Sequence, residues 1–242
     1  MKVFWGIASF AFFSGLYSCN FDQQEVYDTK AIATLDRMCE VIGELESCSF
    51  TLEASSNQIN DGKMTVRERS SQLYVEAPDK LFVYTNSPNG RKGYWYDGNQ
   101  LAVFRYDQKT FDTISVAGNI HEMMDRAHHA YDVEFPGADI FYPTFTDDLM
   151  ADHDTIVLLE NEQDQNVISI LAKGDQDFVV IDIDGETGLP LKLEIVNRAD
   201  NSIYYEANFS HWKTNPKFRP ELFRFDIPEG AQQLNLLKKM ES

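Results

Sequence analysis

The feature that most constrains the fold is a long series of short segments in which apolar and polar residues alternate. Phe50, Leu52 and Ala54 alternate with polar neighbours, and later segments repeat this period of two. Turn sequences such as Asn60-Asp61-Gly62 and Asp97-Gly98-Asn99 separate them. This pattern is typical of antiparallel strands joined by tight turns. The predicted strands are Phe50–Ala54, Met64–Glu76, Leu81–Tyr84, Gly93–Tyr96, Leu101–Tyr106, Phe111–Val116, Val167–Lys173, Phe178–Asp184, Leu191–Asn197 and Ile203–Trp212.

Three segments follow a helical period instead. After Asp28, an acceptable N-cap residue, apolar residues recur at helical spacing and predict one amphipathic helix of about four turns. These apolar residues are Ala31, Leu35, Met38, Ile42 and Leu45. Asn119 to Tyr131 and a shorter stretch near Phe141 to Met150 predict two further helices. No repeat and no linker divides the chain, so we predict a single domain over residues 28–242.

The predicted strands carry apolar residues on one face, which indicates a sheet that is covered on one side. Val179, Ile181 and Ile183 share one side of their strand. Asp182 and Asp184 lie on the other side. About ten strands offer more apolar surface than three helices can bury, so we expect a mainly β fold with α (α+β). It would be a curved antiparallel half-barrel with an N-terminal helix and a helical lid over a cavity. The periodicity is equally consistent with a solid core.

The N-terminus has the pattern of an export signal. Lys2 supplies a positive charge, and residues 3–16 form an apolar stretch that is too short to span a bilayer. The following Leu16-Tyr17-Ser18-Cys19 resembles a bacterial lipobox, in which the cysteine is acylated. An ordinary secretory signal that is cut near Ser18 is the alternative.

We therefore predict a lipoprotein-type signal peptide over residues 1–18 that is cleaved before Cys19. Cys19 is the predicted site of lipidation, and residues 19–27 form a polar tether. The expected location is the bacterial periplasm, with attachment to a membrane through the N-terminal lipid anchor. Whether this would be the inner or the outer membrane is left open.

Two further cysteines remain for an oxidising compartment. Cys39 and Cys48 flank the end of the first predicted helix, where a turn could bring them face to face. We treat them as a candidate disulfide, with two free thiols as the alternative.

The net charge excludes one class of partner. Lys and Arg total 21 against 39 Asp and Glu, which gives a formal net charge of −18. Such a surface repels phosphate backbones and anionic lipid headgroups, so we expect no nucleic acid partner. After Leu16 no apolar run approaches the roughly 20 residues of a membrane-spanning helix, which excludes a polytopic membrane protein.

Several segments, in order, resemble a bacterial family of predicted periplasmic proteins, domain of unknown function 2092. The matching segments are Leu35-Asp36-Arg37-Met38, Ser49-Phe50, Ala77-Pro78-Asp79-Lys80-Leu81, Tyr96-Asp97-Gly98-Asn99-Gln100-Leu101, Gly188-Leu189-Pro190-Leu191-Lys192, Trp212, Phe225, Pro228, Gly230 and Ala231. They extend over roughly residues 28–235. The family belongs with the outer-membrane lipoprotein carrier and receptor proteins (LolA/LolB-like) and their mycobacterial lipid-binding relatives.

The resemblance implies a half-barrel whose hydrophobic cavity holds acyl chains beneath a helical lid. The implied function is a non-catalytic carrier or receptor of a hydrophobic small molecule, a lipid or a lipoprotein acyl chain. No cofactor and no metal are expected. Candidate cavity and lid residues are Phe82, Tyr84, Phe104, Phe111, Met123, Met124, Tyr205 and Phe209. For each of them, a place in the solid core is the alternative.

Two other functions compete with this one. An envelope scaffold could use the same sheet to bind a protein partner without any ligand. A metal-dependent hydrolase is the weaker alternative, because His121, Asp125 and His128 would share one helical face and resemble part of the zinc motif H-E-x-x-H. A solvated polar face on a lid helix explains these three residues without a metal and is the preferred interpretation, so we expect the protein not to be an enzyme.

Overall fold

A single curled sheet of thirteen strands organises the described part of the chain. The computed structural model describes residues 25–60, 63–131, 135, 137–160 and 166–234. The strands are β1 (Val26–Tyr27), β2 (Ser47–Asn60), β3 (Lys63–Glu76), β4 (Lys80–Ser87), β5 (Gly90–Tyr96), β6 (Gln100–Arg105), β7 (Thr110–Ser115), β8 (Thr155–Leu159), β9 (Val167–Lys173), β10 (Asp177–Asp184), β11 (Pro190–Asn197), β12 (Ile203–Thr214) and β13 (Gln232–Gln233). The predicted signal peptide and Cys19 lie outside the described residues.

Three α-helices and two 3₁₀ turns accompany the strands in the described residues. The helices are α1 (Thr29–Gly43), α2 (Ile120–Tyr131) and α3 (Phe145–Asp152). The 3₁₀ turns are Asp139–Phe141 and Pro220–Phe223. None of the helices in the described ranges combines the length and the apolar character that crossing a membrane requires.

The strand order is β1-β8-β9-β10-β11-β12-β2-β3-β4-β5-β6-β7-β13. Every pair between β8 and β7 in this order is antiparallel, as the tight turns of the sequence predict. The two outermost pairs, β1 with β8 and β13 with β7, are parallel, and their edge strands are only two residues long.

The mainly β architecture with helices is confirmed, but the number of strands exceeds the predicted ten. The structure adds β1, β8 and β13. A two-residue strand carries no period, and β8 (TIVLL) is an apolar run without alternation, so neither kind gives the signal that predicted the others. Val26 and Tyr27, which the sequence placed at the end of the tether, form β1.

Helix α1 forms as the sequence predicts. The Asp28 carboxylate caps its N-terminus by accepting a hydrogen bond from the backbone N–H of Lys30 at 2.8 Å. Ala31, Leu35 and Met38 are fully buried on one helical face, against the sheet. The apolar stripe therefore fixes which face of α1 meets the strands.

The helices cover the concave face of the sheet in two separate places. Helices α1 and α3 pack on β2 and β8–β12 in the first core, which contains Leu35 and Ile181. Helix α2 packs on β4–β7 in the second core, which contains Tyr96 and Met123. Leu73 of β3 contacts both cores and is only partly buried. The uncovered part of the concave face thus lies along β3, between the two cores.

A segment after the last long strand covers the convex face of the sheet. Residues 216–231, which we term the C-terminal cover, place the Phe225 ring 5.1 Å from that of Trp95 and 5.5 Å from that of Phe111. The Phe218 ring lies 5.8 Å from that of Tyr74 in an edge-to-face contact. The convex face of β3–β7 is therefore covered by apolar groups, in addition to the helices on the concave face of β4–β7.

We predict that the C-terminal cover stabilises the domain through Phe223, which is 2% exposed. The substitution Phe223→Ala should lower the free energy of unfolding by about 3 kcal/mol, because it leaves a cavity against the sheet. Urea denaturation measures the effect. Ile227→Ala in the same segment should change it by less than about 0.5 kcal/mol, since Ile227 is 62% exposed. Equal losses for the two variants would show that the cover does not pack as described.

Candidate binding cavity

The uncovered part of the concave face opens into a cavity of about 360 Å³, which we term the main cavity. This volume lies in the range of small-molecule sites, which is roughly 300–1,000 Å³. Its lining residues are Ile42, Gly43, Leu45, Cys48, Phe50, Leu52, Arg69, Ser71, Leu73, Val75, Ala77, Pro78, Leu81, Val83, Thr85, Tyr94, Asn119, Ile120, His121, Met124, Phe135, Gly137, Ala138 and Phe141. Most of these side chains are apolar, so the cavity favours a hydrophobic occupant.

Each core contributes one wall of the main cavity, and β3 forms its floor. Ile42 and Leu45, from the last turn of α1 and the residues after it, close one side. Ile120 and Met124 of α2 close the other. Leu73 lies between the two walls on β3. The cavity exists because α1 and α2 cover separate parts of the sheet and leave the strip between them uncovered.

The strand register explains why the sheet side of the main cavity is apolar near Val75 and Leu81. Val75, Leu81, Tyr96, Leu101 and Ile114 are direct neighbours across β3–β7. Directly opposed residues of antiparallel strands point to the same face of the sheet, so these five side chains form one continuous row on the concave face. The row is apolar apart from the Tyr96 hydroxyl group, and all of its members except Val75 are buried.

A second cavity of about 330 Å³, the side cavity, adjoins the first. It is lined by Ala54, Ser55, Ser56, Asn57, Arg67, Arg69, Met124, Asp125, His128, His129, Phe135, Gly137, Ala138, Asp139, Tyr142, Leu193, Ile195, Tyr204 and Tyr205. Arg69, Met124 and Phe135 line both cavities. The side cavity is more polar than the main cavity, and these shared residues mark where the two meet.

Buried polar groups of the side cavity are only partly satisfied. The Tyr205 hydroxyl is buried and has no hydrogen-bond partner among the residues that the structure describes. Burial raises the pKa of Tyr205 to about 12. Burial also raises the pKa of the Asp139 carboxyl. The hydroxyl of Tyr205 thus remains a neutral donor at physiological pH, and it can bond to a group that enters the cavity.

Helix α2 is fixed to the sheet at its N-terminus. Asn119 and Glu122 bond reciprocally, since each side chain accepts from the other's backbone N–H, at 2.9 and 3.0 Å. The Tyr96 hydroxyl donates to the Gly118 carbonyl at 2.6 Å, and the Ile120 N–H donates to the Pro78 carbonyl at 2.9 Å. Four hydrogen bonds therefore position the first turn of the helix that closes the main cavity.

The residues considered for a metal site have other partners in the structure. The His121 Nε2 atom lies 3.0 Å from the Phe141 carbonyl oxygen, and Asp125 accepts a hydrogen bond from the Tyr142 hydroxyl at 2.8 Å. His128 lies beside His129 on the side cavity. Within the described ranges, no group of three or more His, Cys, Asp or Glu side chains is arranged to hold a metal ion. His121 and Asp125 instead link α2 to the segment that carries Phe141 and Tyr142.

The structure corrects the expectation for four of the eight candidate cavity residues. Leu81 and Val83 of β4 line the main cavity, so Phe82 and Tyr84 point to the convex face. There Phe82 stacks on Trp95 at 4.9 Å, and Tyr84 contacts Tyr106. Phe104 and Phe111 also lie on the convex face, where both contact Phe225 of the C-terminal cover.

The other four candidates lie on the concave face, in two different environments. Met124 is 7% exposed and lines both cavities, while Tyr205 lines the side cavity. Met123 is fully buried in the second core, and Phe209 is buried in the first core beside Phe50. Met123 and Phe209 therefore lie in the solid core, which was the alternative for each candidate.

The sequence reasoning missed the aliphatic residues that line the main cavity. In β4 it selected the aromatic residues Phe82 and Tyr84, whereas Leu81 and Val83 face inward. The uninterrupted apolar run of β4 is the signal that could have prevented this error, because such a run indicates a strand that is buried on both faces. A second covering layer was therefore implied, and the C-terminal cover supplies it.

The candidate disulfide between Cys39 and Cys48 is corrected, since both are free thiols in the structure. The Cys39 sulfur lies 3.7 Å from the hydroxyl oxygen of Thr146 on α3. Cys48 points instead into the main cavity from β2. The two thiols therefore contact different groups, and burial raises the pKa of Cys48 to about 12.

The family model described as a predicted periplasmic protein, DUF2092, matches residues 31–237. Among functionally curated proteins, none matches this sequence significantly.

Solved structures with a similar backbone include three bacterial proteins. MucB of Pseudomonas aeruginosa, from its complex with MucA, is 12% identical with a TM-score of 0.46, and the match covers 82% of this chain and 62% of MucB. The lipoprotein LppX of Mycobacterium tuberculosis is 10% identical with a TM-score of 0.49, over 80% and 99% of the two chains. A LolA superfamily protein from Nitrosomonas europaea is 12% identical with a TM-score of 0.35, over 81% and 97%. The chain thus spans less than two thirds of the length of MucB.

We predict that Cys48 resists alkylation in the folded protein. A pKa of about 12 leaves only about one thiolate in 10⁴ at pH 8, and the thiolate is the reactive form. Iodoacetamide at pH 8 should therefore leave Cys48 unlabelled in the folded protein. It should label Cys48 once the protein is unfolded in urea, with no reductant in either experiment. Mass spectrometry of the peptides measures the labelling. A peptide that links Cys39 to Cys48 before reduction would contradict the free thiols.

Proposed function

This chain belongs to the DUF2092 family of predicted periplasmic proteins, and from this basis we propose that it binds the acyl chain of a lipid or lipoprotein in the main cavity. In this proposal it acts as a non-catalytic carrier or receptor in the bacterial periplasm. A lipid at Cys19 would hold it at a membrane, with the polar residues that follow Cys19 as the tether.

The main cavity is the observation that carries this proposal. Its walls are apolar on the sheet side, through residues such as Leu73 and Val83, and on the helix side, through Ile42 and Ile120. Each buried CH₂ group contributes about 0.8 kcal/mol, so an acyl chain of about 16 carbons could gain on the order of 10 kcal/mol before ordering costs. Apart from Arg69 at one end, the lining carries few charged groups, and a mainly apolar strip of this size on the concave face favours a flexible hydrocarbon occupant.

The attachment of α2 supports a lid role for this helix. Its first turn is bonded to the loops around Gly118 and Pro78, whereas its inner face contacts the cavity through the flexible side chain of Met124. Unbranched methionine side chains adapt to ligands of different shapes. In this proposal α2 pivots about its N-terminus to admit the chain and then packs on it.

The direct test is to identify what the protein carries. The full-length protein should be expressed in a bacterium with an envelope, released without detergent from a variant with Cys19→Ser, and studied by native mass spectrometry and organic extraction. We expect an acyl lipid at close to one molecule per chain. A bare chain that also fails to bind added fatty acids would overturn the proposal and favour the scaffold alternative, and bound metal without lipid would favour the hydrolase.

We predict that filling the main cavity prevents binding without unfolding the protein. The Val83 side chain lines the cavity, so Val83→Phe extends into space that the ligand would occupy. The affinity for N-phenylnaphthylamine, a neutral probe that fluoresces in apolar sites, should fall by at least about tenfold, which is about 1.4 kcal/mol.

The matched control is Val66→Phe, which makes the same change at a β3 residue that is 60% exposed. It should leave the affinity for the probe unchanged, and both variants should keep a cooperative thermal transition. If Val83→Phe bound the probe as tightly as the wild type, the main cavity would not be the binding site.

A further inference from the structure

The concave face of the sheet changes from apolar to cationic along the strands. The apolar row that runs from Val75 to Ile114 lies at one end of this face. Two residues further along each strand, the adjacent row consists of Leu73, Val83, Tyr94, Val103 and Asp112, which are direct neighbours across the strands. The next row on the same face consists of Ser71, Thr85, Lys92, Arg105 and Thr110. Arg69 and Arg67 of β3 follow beyond Ser71 at the same spacing of two. The strands therefore place four cationic residues at one end of the concave face.

Only one of these four cationic residues forms an ion pair within the described residues, although the Asp125 and Asp139 carboxylates line the same side cavity as Arg67 and Arg69. Arg105 pairs with Asp112 at 2.7 Å, and Asp112 is almost fully buried. Lys92, Arg67 and Arg69 form no ion pair within the part of the chain that the structure describes. A local excess of positive charge in a chain with a net charge of −18 is unusual, because 39 acidic side chains are available to pair with it.

The cationic side chains lie close enough together to influence one another. Burial, together with repulsion from Arg105, Arg69 and Arg67, lowers the pKa of Lys92. This repulsion is unfavourable in the folded protein, and an anion bound between the side chains would relieve it. Unpaired charges that repel one another in a partly buried site are typical of functional sites.

Two buried hydroxyl groups lie near the cationic residues. The hydroxyls of Tyr205 and Thr110 are buried without a hydrogen-bond partner among the described residues. Thr110 is the direct neighbour of Arg105 across β6 and β7, and Tyr205 lines the side cavity with Arg67 and Arg69. Buried hydroxyls are ordinarily bonded, so both are available to donate to an oxygen atom of a bound ligand.

Arg69 connects this end to the main cavity, because its side chain lines both cavities. A chain that lies along the apolar rows of β3 and β4 would therefore reach Ser71, Thr85 and then the cationic residues. We infer that the protein selects acyl-chain ligands with an anionic head group, a carboxylate or a phosphate, which Arg69, Arg67 and Lys92 bind while the chain fills the main cavity. This inference rests on the proposed function.

The test compares ligands with the same chain and different heads. Dodecanoate, dodecyl phosphate and dodecanol each compete with N-phenylnaphthylamine for the wild-type protein, below the concentrations at which they form micelles. We expect both anions to displace the probe at concentrations at least about tenfold lower than dodecanol does, since charge-assisted hydrogen bonds are strong. A higher affinity for the phosphate would point to a phospholipid source, and a higher affinity for the carboxylate would point to a fatty acid.

Charge variants locate the effect. Lys92→Gln combined with Arg69→Gln should remove the preference for the anions, so that dodecanoate, dodecyl phosphate and dodecanol displace the probe at similar concentrations. Arg91→Gln is the matched control, because Arg91 precedes Lys92 on β5 but points to the other face, where it pairs with Asp107 at 2.7 Å. This control should retain the preference, and thermal unfolding should show that each variant is folded.

Two failures can be told apart. If the wild type binds dodecanol, dodecanoate and dodecyl phosphate equally, the head-group inference is wrong and the proposed acyl-chain site stands. If none of the three displaces the probe, the proposed function itself fails. The comparison of ligands on the wild type needs no variant, so the inference remains testable even if the double variant does not fold.

Discussion

The structure depends on one imbalance, which is that the concave face of a single antiparallel sheet is larger than the helices can cover. Helices α1 and α3 bury the part of the sheet that contains Ile181, and α2 buries the part that contains Tyr96. Between them, Leu73 is in contact with both cores but remains partly accessible. Because apolar surface that faces water is unfavourable, this strip supplies the driving force for binding a hydrophobic molecule.

The convex face compensates for the incomplete packing of the concave face. Trp95, Phe104 and Phe111 point away from the cavity and are packed by Phe225. This packing contributes stability that does not depend on whether the cavity is occupied, so the strands that form the cavity wall can remain folded without a ligand. The proposed carrier role would need this property, because a carrier must retain its shape between release and capture.

The three helices and ten of the thirteen strands in the described residues could be predicted from the sequence, but the faces of several strands could not. Asp28 and the apolar stripe of α1 define that helix locally, and the Asn/Asp-Gly turns define the hairpins. In β4, by contrast, Leu81 and Phe82 are equally apolar, and only the distant Phe225 and the cavity decide which faces inward. The site depends on contacts that join parts of the chain far apart in sequence, which period and composition do not encode.

The two edge strands have a consequence for how this protein can meet other molecules. Edges of sheets ordinarily present unpaired backbone groups that recruit a further strand, and long exposed edges lead to fibrous assembly. Here β1 and β13 occupy the two edges but are only two residues long, and they pair only with Thr155 and Ile156 of β8 and with Thr110 and Phe111 of β7. Most of the length of β7 and β8 extends beyond these two short pairs. The edge strands therefore shield only part of each edge, and the rest of β7 and β8 is where a strand of another chain would extend the sheet.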